Sequence, residues 1–138
     1  MTNHRTDLRA FAYDAINRAG YFSEFTGVKA WAQSVDSESL PMFGVSTPRE
    51  NSNAVDTESH QRQVDLHVVL KRMGCEEIED VLDADADALE ALLLPRLRQT
   101  YLHAELTQTE VTLSGEGRML VGMIAVTFAC MLQTDMPV

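Results

Sequence analysis

Residues 62–72 read RQVDLHVVLKR, and this stretch decides the fold. Val64, Leu66, Val68 and Leu70 alternate with Asp65, His67, Val69 and Lys71, the period of two that sends successive side chains to opposite faces of a strand. One face is wholly apolar and must be buried under another layer. The flanking segments supply that layer. Downstream, Gly74 ends the strand and a helix is predicted from about Glu76 to Leu94, with Ile78, Val81, Leu82, Leu89, Leu92 and Leu93 as its buried stripe. Eight acidic and no basic residues lie between Met73 and Leu94, so its outer face reads as a solvated acidic surface. Pro95 predicts a stop or kink. Upstream, Leu8, Phe11, Ala12, Ala15, Ile16 and Ala19 recur at helical spacing over about Thr6–Ala19. Thr6 is the expected cap, Asp7 suits the positive end of the helix dipole, and Gly20 supplies the stop.

Between the first helix and the central strand, Val28–Ala32 and Met42–Thr47 read as extended, with Pro41 at an edge position. Trp31 and Phe43 are core aromatics or, alternatively, interface anchors. Residues 48–61, PRENSNAVDTESHQ, hold too little apolar surface to order themselves. They are expected to form a mobile polar loop, either a plain hairpin tip or an arm that orders against a partner. The last third predicts a β-hairpin: a strand over Leu106–Leu113, a turn over Ser114–Gly117, and a long strand over Arg118–Gln133. In that closing strand Ile124, Val126, Phe128, Cys130 and Leu132 share one face, while Met119, Val121, Met123, Ala125 and Met131 share the other. A sheet with helices on one side normally shows polar residues on its other face, so two apolar faces imply a second cover, most simply another subunit. The expected architecture is a single α+β domain over 1–138. It has an antiparallel or mixed sheet of about four to five strands, with two helices packed on one face.

Composition narrows the function. The chain has 138 residues, 45% hydrophobic and 23% charged, an ordinary globular balance. Twenty-one acidic residues against 11 basic give a net charge of −10, and lysine occurs only at 29 and 71. Phosphate binding needs clustered Lys and Arg, so a nucleic-acid grip is not expected; an acidic surface repels DNA or meets a basic partner. No apolar run is long enough for a membrane helix, and the N-terminus lacks the apolar core of a secretory signal. The expected compartment is the cytoplasm, where Cys75 and Cys130 stay reduced and structural.

The search for chemistry gives little. Asp83–Asp87 begins like a calcium loop, but its sixth position would be Ala88 and its twelfth Leu94, where Gly and Glu are needed. His4, His60, His67 and His103 show no metal-ligand spacing. Asp65 and His67 project from one strand face, yet no nucleophile elbow accompanies them. Ser114–Gly117 joins strand to strand, not strand to helix, so it is no phosphate cradle. Asp65, His67 and Cys75 are the only groups an enzyme reading could use; no catalytic, cofactor or metal site is expected.

Three places in order resemble a known family. They are the Leu40–Glu50 strand exit, LPMFGVSTPRE; the polar loop followed by the alternating strand from Arg62; and the closing strand LVGMIAVTF at Leu120–Phe128. Together, over nearly the whole chain, they resemble the tail terminator proteins of long-tailed bacteriophages, of the lambda U-protein type, and their counterparts in gene transfer agents. The resemblance implies a non-enzymatic virion protein at the tail–head junction. It would form a ring, usually a hexamer, that halts tail-tube polymerisation and meets the major tail tube protein and the head completion proteins. DNA would pass through without specific binding. Candidate interface residues are Trp31, Arg49, Glu50, Asp56, Arg62, Met119, Val121 and Met123. Other readings are a different neck or tail-tube component of the same plan, or a small cytosolic ligand-binding or regulatory domain that dimerises through its sheet.

Overall fold

The computed structural model describes residues 3–28, 40–115 and 120–135. Helix α1 (His4–Arg18) is followed by a 3-10 turn (Gly20–Phe22) and the short strand β1 (Thr26–Val28). Then come β2 (Met42–Ala54), β3 (Ser59–Gly74), α2 (Ile78–Thr100), β4 (His103–Ser114) and β5 (Leu120–Asp135). The strands form one sheet in the order β1-β2-β3-β5-β4. β1 runs parallel to β2, and every other pair is antiparallel. The expected α+β class, with a mixed five-stranded sheet and two helices, is what the chain adopts.

The period-two reading of β3 describes its packing. Val64, Leu66, Val68 and Leu70 are all fully buried, as are Phe43 of β2 and Ile124, Phe128 and Cys130 of β5. Onto this face α1 sets Leu8, Ala12 and Ile16, and α2 sets Ile78, Leu82, Leu89, Leu93 and Leu97. Each buried Val, Leu, Ile or Phe among them contributes about 1.5–3 kcal/mol, so this layer holds the domain together. Gly122 lets α2 approach β5: a Cβ there would lie 2.7 Å from Leu82 Cδ1 and 2.8 Å from Ile78 Cδ1.

Several boundaries differ from the sequence expectation. The cap of α1 is Asn3, whose side chain accepts from the Arg5 amide at 2.8 Å, so Thr6 lies inside the helix. Val28 ends β1, and 29–32 of the expected first strand lie outside the described residues. Helix α2 does not stop at Pro95 but runs on to Thr100. Pro95 and Ala91, whose carbonyl the proline cannot partner, both lie on the exposed side of the helix. Leu93 and Leu97, both fully buried, pin the helix on either side of it.

The expected loop over 48–61 is also corrected. β2 runs to Ala54 and β3 begins at Ser59, so only residues 55–58 form the turn. Backbone pairing supplies the order that composition could not: Glu50↔Val64, Ser52↔Arg62 and Ala54↔His60 on one side, with His60↔Thr134 and Arg62↔Leu132 on the other. The register slips between Ser46 and Arg49. There Thr47 and Pro48 stand opposite one β3 residue, a bulge that accommodates a proline lacking its amide donor.

Candidate interaction surface

With both helices on one side, the other side of the sheet has no covering layer among the described residues. Directly paired residues share a face, so the ladder identifies its rows. Arg49, Asp65, Ala129 and Glu105 form one row across β2, β3, β5 and β4; Gly44, Val69, Ala125 and Glu110 form another. Between them lies the row Ser46, His67, Thr127 and Gln108, in which His67 Nδ1 and Thr127 Oγ1 are 3.2 Å apart. Val69, Val121, Met123, Ala125 and Met131 are half-buried here, neither covered like the helix side nor replaced by polar residues. A trough of about 390 Å³ crosses this face, floored by Val69, Met123 and Ala125 and bounded by Glu110 and Thr112. The closing strand therefore has two apolar faces, as its alternation predicts.

The far end of the β2–β3 ribbon is held by polar contacts. Glu50 is their centre: His4 Nε2 lies against its Oε1, and Arg62 Nη1 donates to its Oε2 at 2.9 Å. Ser52 Oγ donates to the same oxygen at 3.2 Å, while Arg62 also donates to Thr134 Oγ1 and, at 3.3 Å, to His60 Nδ1. Burial alone would raise the Glu50 carboxyl, but the hydrogen bonds from His4 and Arg62 outweigh it, and its pKa lies below the ordinary glutamate value. At the tip, Asp56 Oδ1 accepts from the amides of Glu58 (2.7 Å) and Ser59 (2.9 Å) and from Ser59 Oγ (3.1 Å). Those bonds to its charged form lower the Asp56 pKa as well.

The candidate interface residues thus divide. Glu50 and Arg62 are engaged with each other, and Asp56 closes its own turn. Arg49 is exposed on the outer face and has no ion pair among the described residues, and Val121 and Met123 line the same face. Trp31 and Met119 lie outside the described residues. No family model matches the chain, and no curated protein matches it. The groups an enzyme reading could use are scattered. Asp65 and His67 share the outer face, but Cys75 is exposed beyond the end of β3. Cys130 is buried within the helix-side core, and that burial pushes its thiol up to about 12. Among the described residues no group of three or more His, Cys, Asp or Glu is placed to hold a metal ion, and no helix is long and apolar enough to cross a membrane.

One cluster escapes the sequence reading altogether. Asp85, counted above with the solvated acidic face of α2, is fully buried. Arg72 at the end of β3 grips it with two bonds, Nε to Oδ2 at 2.7 Å and Nη2 to Oδ1 at 2.9 Å, and Tyr21 Oη donates to Oδ1 at 3.0 Å. The guanidinium also lies 4.9 Å from the centre of the Phe25 ring. Burial first, and then the Asp85 carboxylate, raise the Tyr21 hydroxyl pKa. The cluster is fully satisfied and ties the 3-10 turn to β3 and α2. Its role is positional.

Proposed function

We propose that this protein is a non-enzymatic assembly subunit of a phage or gene-transfer-agent tail, acting as a tail terminator ring between the tube and the head. The observation that carries the reading is the one-sided sheet: a domain whose helices cover a single face while the other keeps a half-apolar centre on β3 and β5. A subunit built to stand alone would carry polar residues along β5 as it does on β4, not the stripe of Val121, Met123, Ala125 and Met131. The long β2–β3 ribbon supports the same reading, because it extends beyond the helix layer and offers backbone and polar side chains to a neighbour. Burying such surfaces against copies of itself, tube protein and head completion proteins is how a ring subunit gains its stability.

The test is microscopy of particles made without this protein. Abnormally long or headless tails are the expected result; normal tails of normal length would remove the terminator role. Deleting residues 51–59 refines it, with the folded core expected to survive while attachment to tubes or heads weakens.

A further inference from the structure

We propose that the free protein pairs with a second copy of itself, outer sheet face against outer sheet face, about a two-fold axis parallel to the strands. The charge pattern of the face selects this arrangement. Its basic margin is Arg49 on β2 and its acidic margin is Glu105 and Glu110 on β4; between them, on β3 and β5, Val69, Met123, Ala125 and Ala129 are interspersed with Asp65, His67, Lys71 and Thr127. A two-fold axis running between β3 and β5, along the strands, exchanges the margins and preserves the rows. Arg49 and Glu105 belong to one row, so each Arg49 then lies over the partner copy's Glu105 and the contact repeats twice. In the next rows Val69 lies over Ala125, and Glu110 lies over Gly44, which has no side chain to obstruct it.

The other in-plane two-fold, perpendicular to the strands, stacks β4 on β4 and brings the two acidic margins together, which like-charge repulsion opposes. Facing sheets cross at about −30°. At margins about 7 Å from the axis this displaces opposed residues by only about 4 Å, within the reach of an arginine. Asp65 neighbours Arg49 in the same row, so Arg49 lies between its own Asp65 and the partner copy's Glu105 and offsets the repulsion between those two carboxylates; His103 Nε2 lies 3.6 Å from Glu105. Four strands over ten residues cover roughly 19 by 33 Å, on the order of 600 Å² per copy. That is slightly under the ~800 Å² per partner of a standard interface, so the pairing is expected to be reversible and to show on dilution. The inference concerns the protein without tail tubes and does not rest on the ring reading.

Sedimentation velocity across a dilution series of the full chain tests it. The wild type is expected to dimerise, and Arg49→Glu or Glu105→Arg each to raise the dissociation constant about tenfold or more. The charge-swapped double variant, Arg49→Glu with Glu105→Arg, is expected to recover most of that loss. Ala125→Arg, in the middle of the face, is expected to abolish pairing. Circular dichroism of each variant checks the fold, which these outer-face positions should leave intact. A wild type that stays monomeric at every concentration overturns the proposal. So does a dimer indifferent to both single substitutions, or a double variant no tighter than either single.

Discussion

The two halves of the β2–β3 ribbon are one continuous piece of sheet held by different forces. In the near half, Phe43 pairs with Leu70, and Leu66, Val68 and Leu70 are sealed under the helices with no exposed surface. In the far half, beyond the bulge at Thr47–Pro48, the same face carries Glu50, Ser52, His60 and Arg62, joined by hydrogen bonds and flanked by water. Burial of apolar area is worth kilocalories per side chain, whereas partly exposed ion pairs are worth about 0–1 kcal/mol. The near half is thus the foundation of the domain, and the far half can be remodelled without unfolding it.

The sharpest way to break this contrast is Phe43→Ala. Phe43 is fully buried and its ring packs 5.1 Å from that of Tyr13, so its loss is expected to cost about 3–5 kcal/mol. Arg62→Met in the far half should cost no more than about 1 kcal/mol. Urea denaturation of both variants measures the difference. Comparable losses would mean that the two halves share one source of stability.

Next in size is the buried ion pair where β3 leaves the near half. Arg72→Met strands the Asp85 carboxylate in the core and is expected to cost about 3 kcal/mol. Asp85→Leu should be milder, about 1–2 kcal/mol, because the Arg72 side chain is 25% exposed and its freed guanidinium can reach water. Thermal or urea unfolding decides the order. If Asp85→Leu proves the more damaging, packing around the carboxylate rather than its charge dominates.

Alternation and spacing made much of this legible. The apolar face of β3, most of the helix stripes and the second apolar face of β5 follow from residue type at a fixed period, because each period maps to one direction in space; Val81, expected in the buried stripe of α2, is exposed instead. What composition could not reveal was order supplied by the backbone. Residues 48–61 look soluble and loop-like, but strand pairing depends on amide groups that every residue there except Pro48 carries. Asp85 was hidden by its company. It lies in a run of acids, yet it falls on the stripe of Ile78, Leu82 and Leu89, and that position was the available signal. Pro95 does not stop the helix because Leu93 and Leu97, buried on either side of it, hold α2 against the sheet at a cost the packing outweighs. The row that aligns Arg49 with Glu105 depends on register, which two separate alternating strands do not reveal.

A smaller contrast concerns exposure of backbone to solvent. Amides of Val64–Leu70 should exchange only on global unfolding, while those of Asn51–Ala54 should exchange through local opening at a much lower free energy. Hydrogen exchange resolved by residue measures both, and uniform protection along the ribbon would put the far half inside the cooperative core.

The smallest expected effect is also the most specific to the far half. The folded-state pKa of Glu50 lies below its ordinary value, so the unfolded chain binds the more protons in acid. Its contribution is therefore complete above the ordinary glutamate pKa of about 4.3 and is lost as pH falls through the depressed folded value. Glu50→Gln should cost no more than about 1 kcal/mol at neutral pH, since His4 and Arg62 are partly exposed and screened. The cost should shrink towards zero in acid, where the wild-type carboxyl is itself protonated. Asp56 is acid-sensitive too, so the wild type alone is not informative, but its difference from Glu50→Gln isolates this one carboxylate. Urea midpoints at neutral and acidic pH give that difference. A cost that stays constant with pH would show that Glu50 acts through shape and hydrogen bonding alone, and the far half would then owe nothing to charge at its centre.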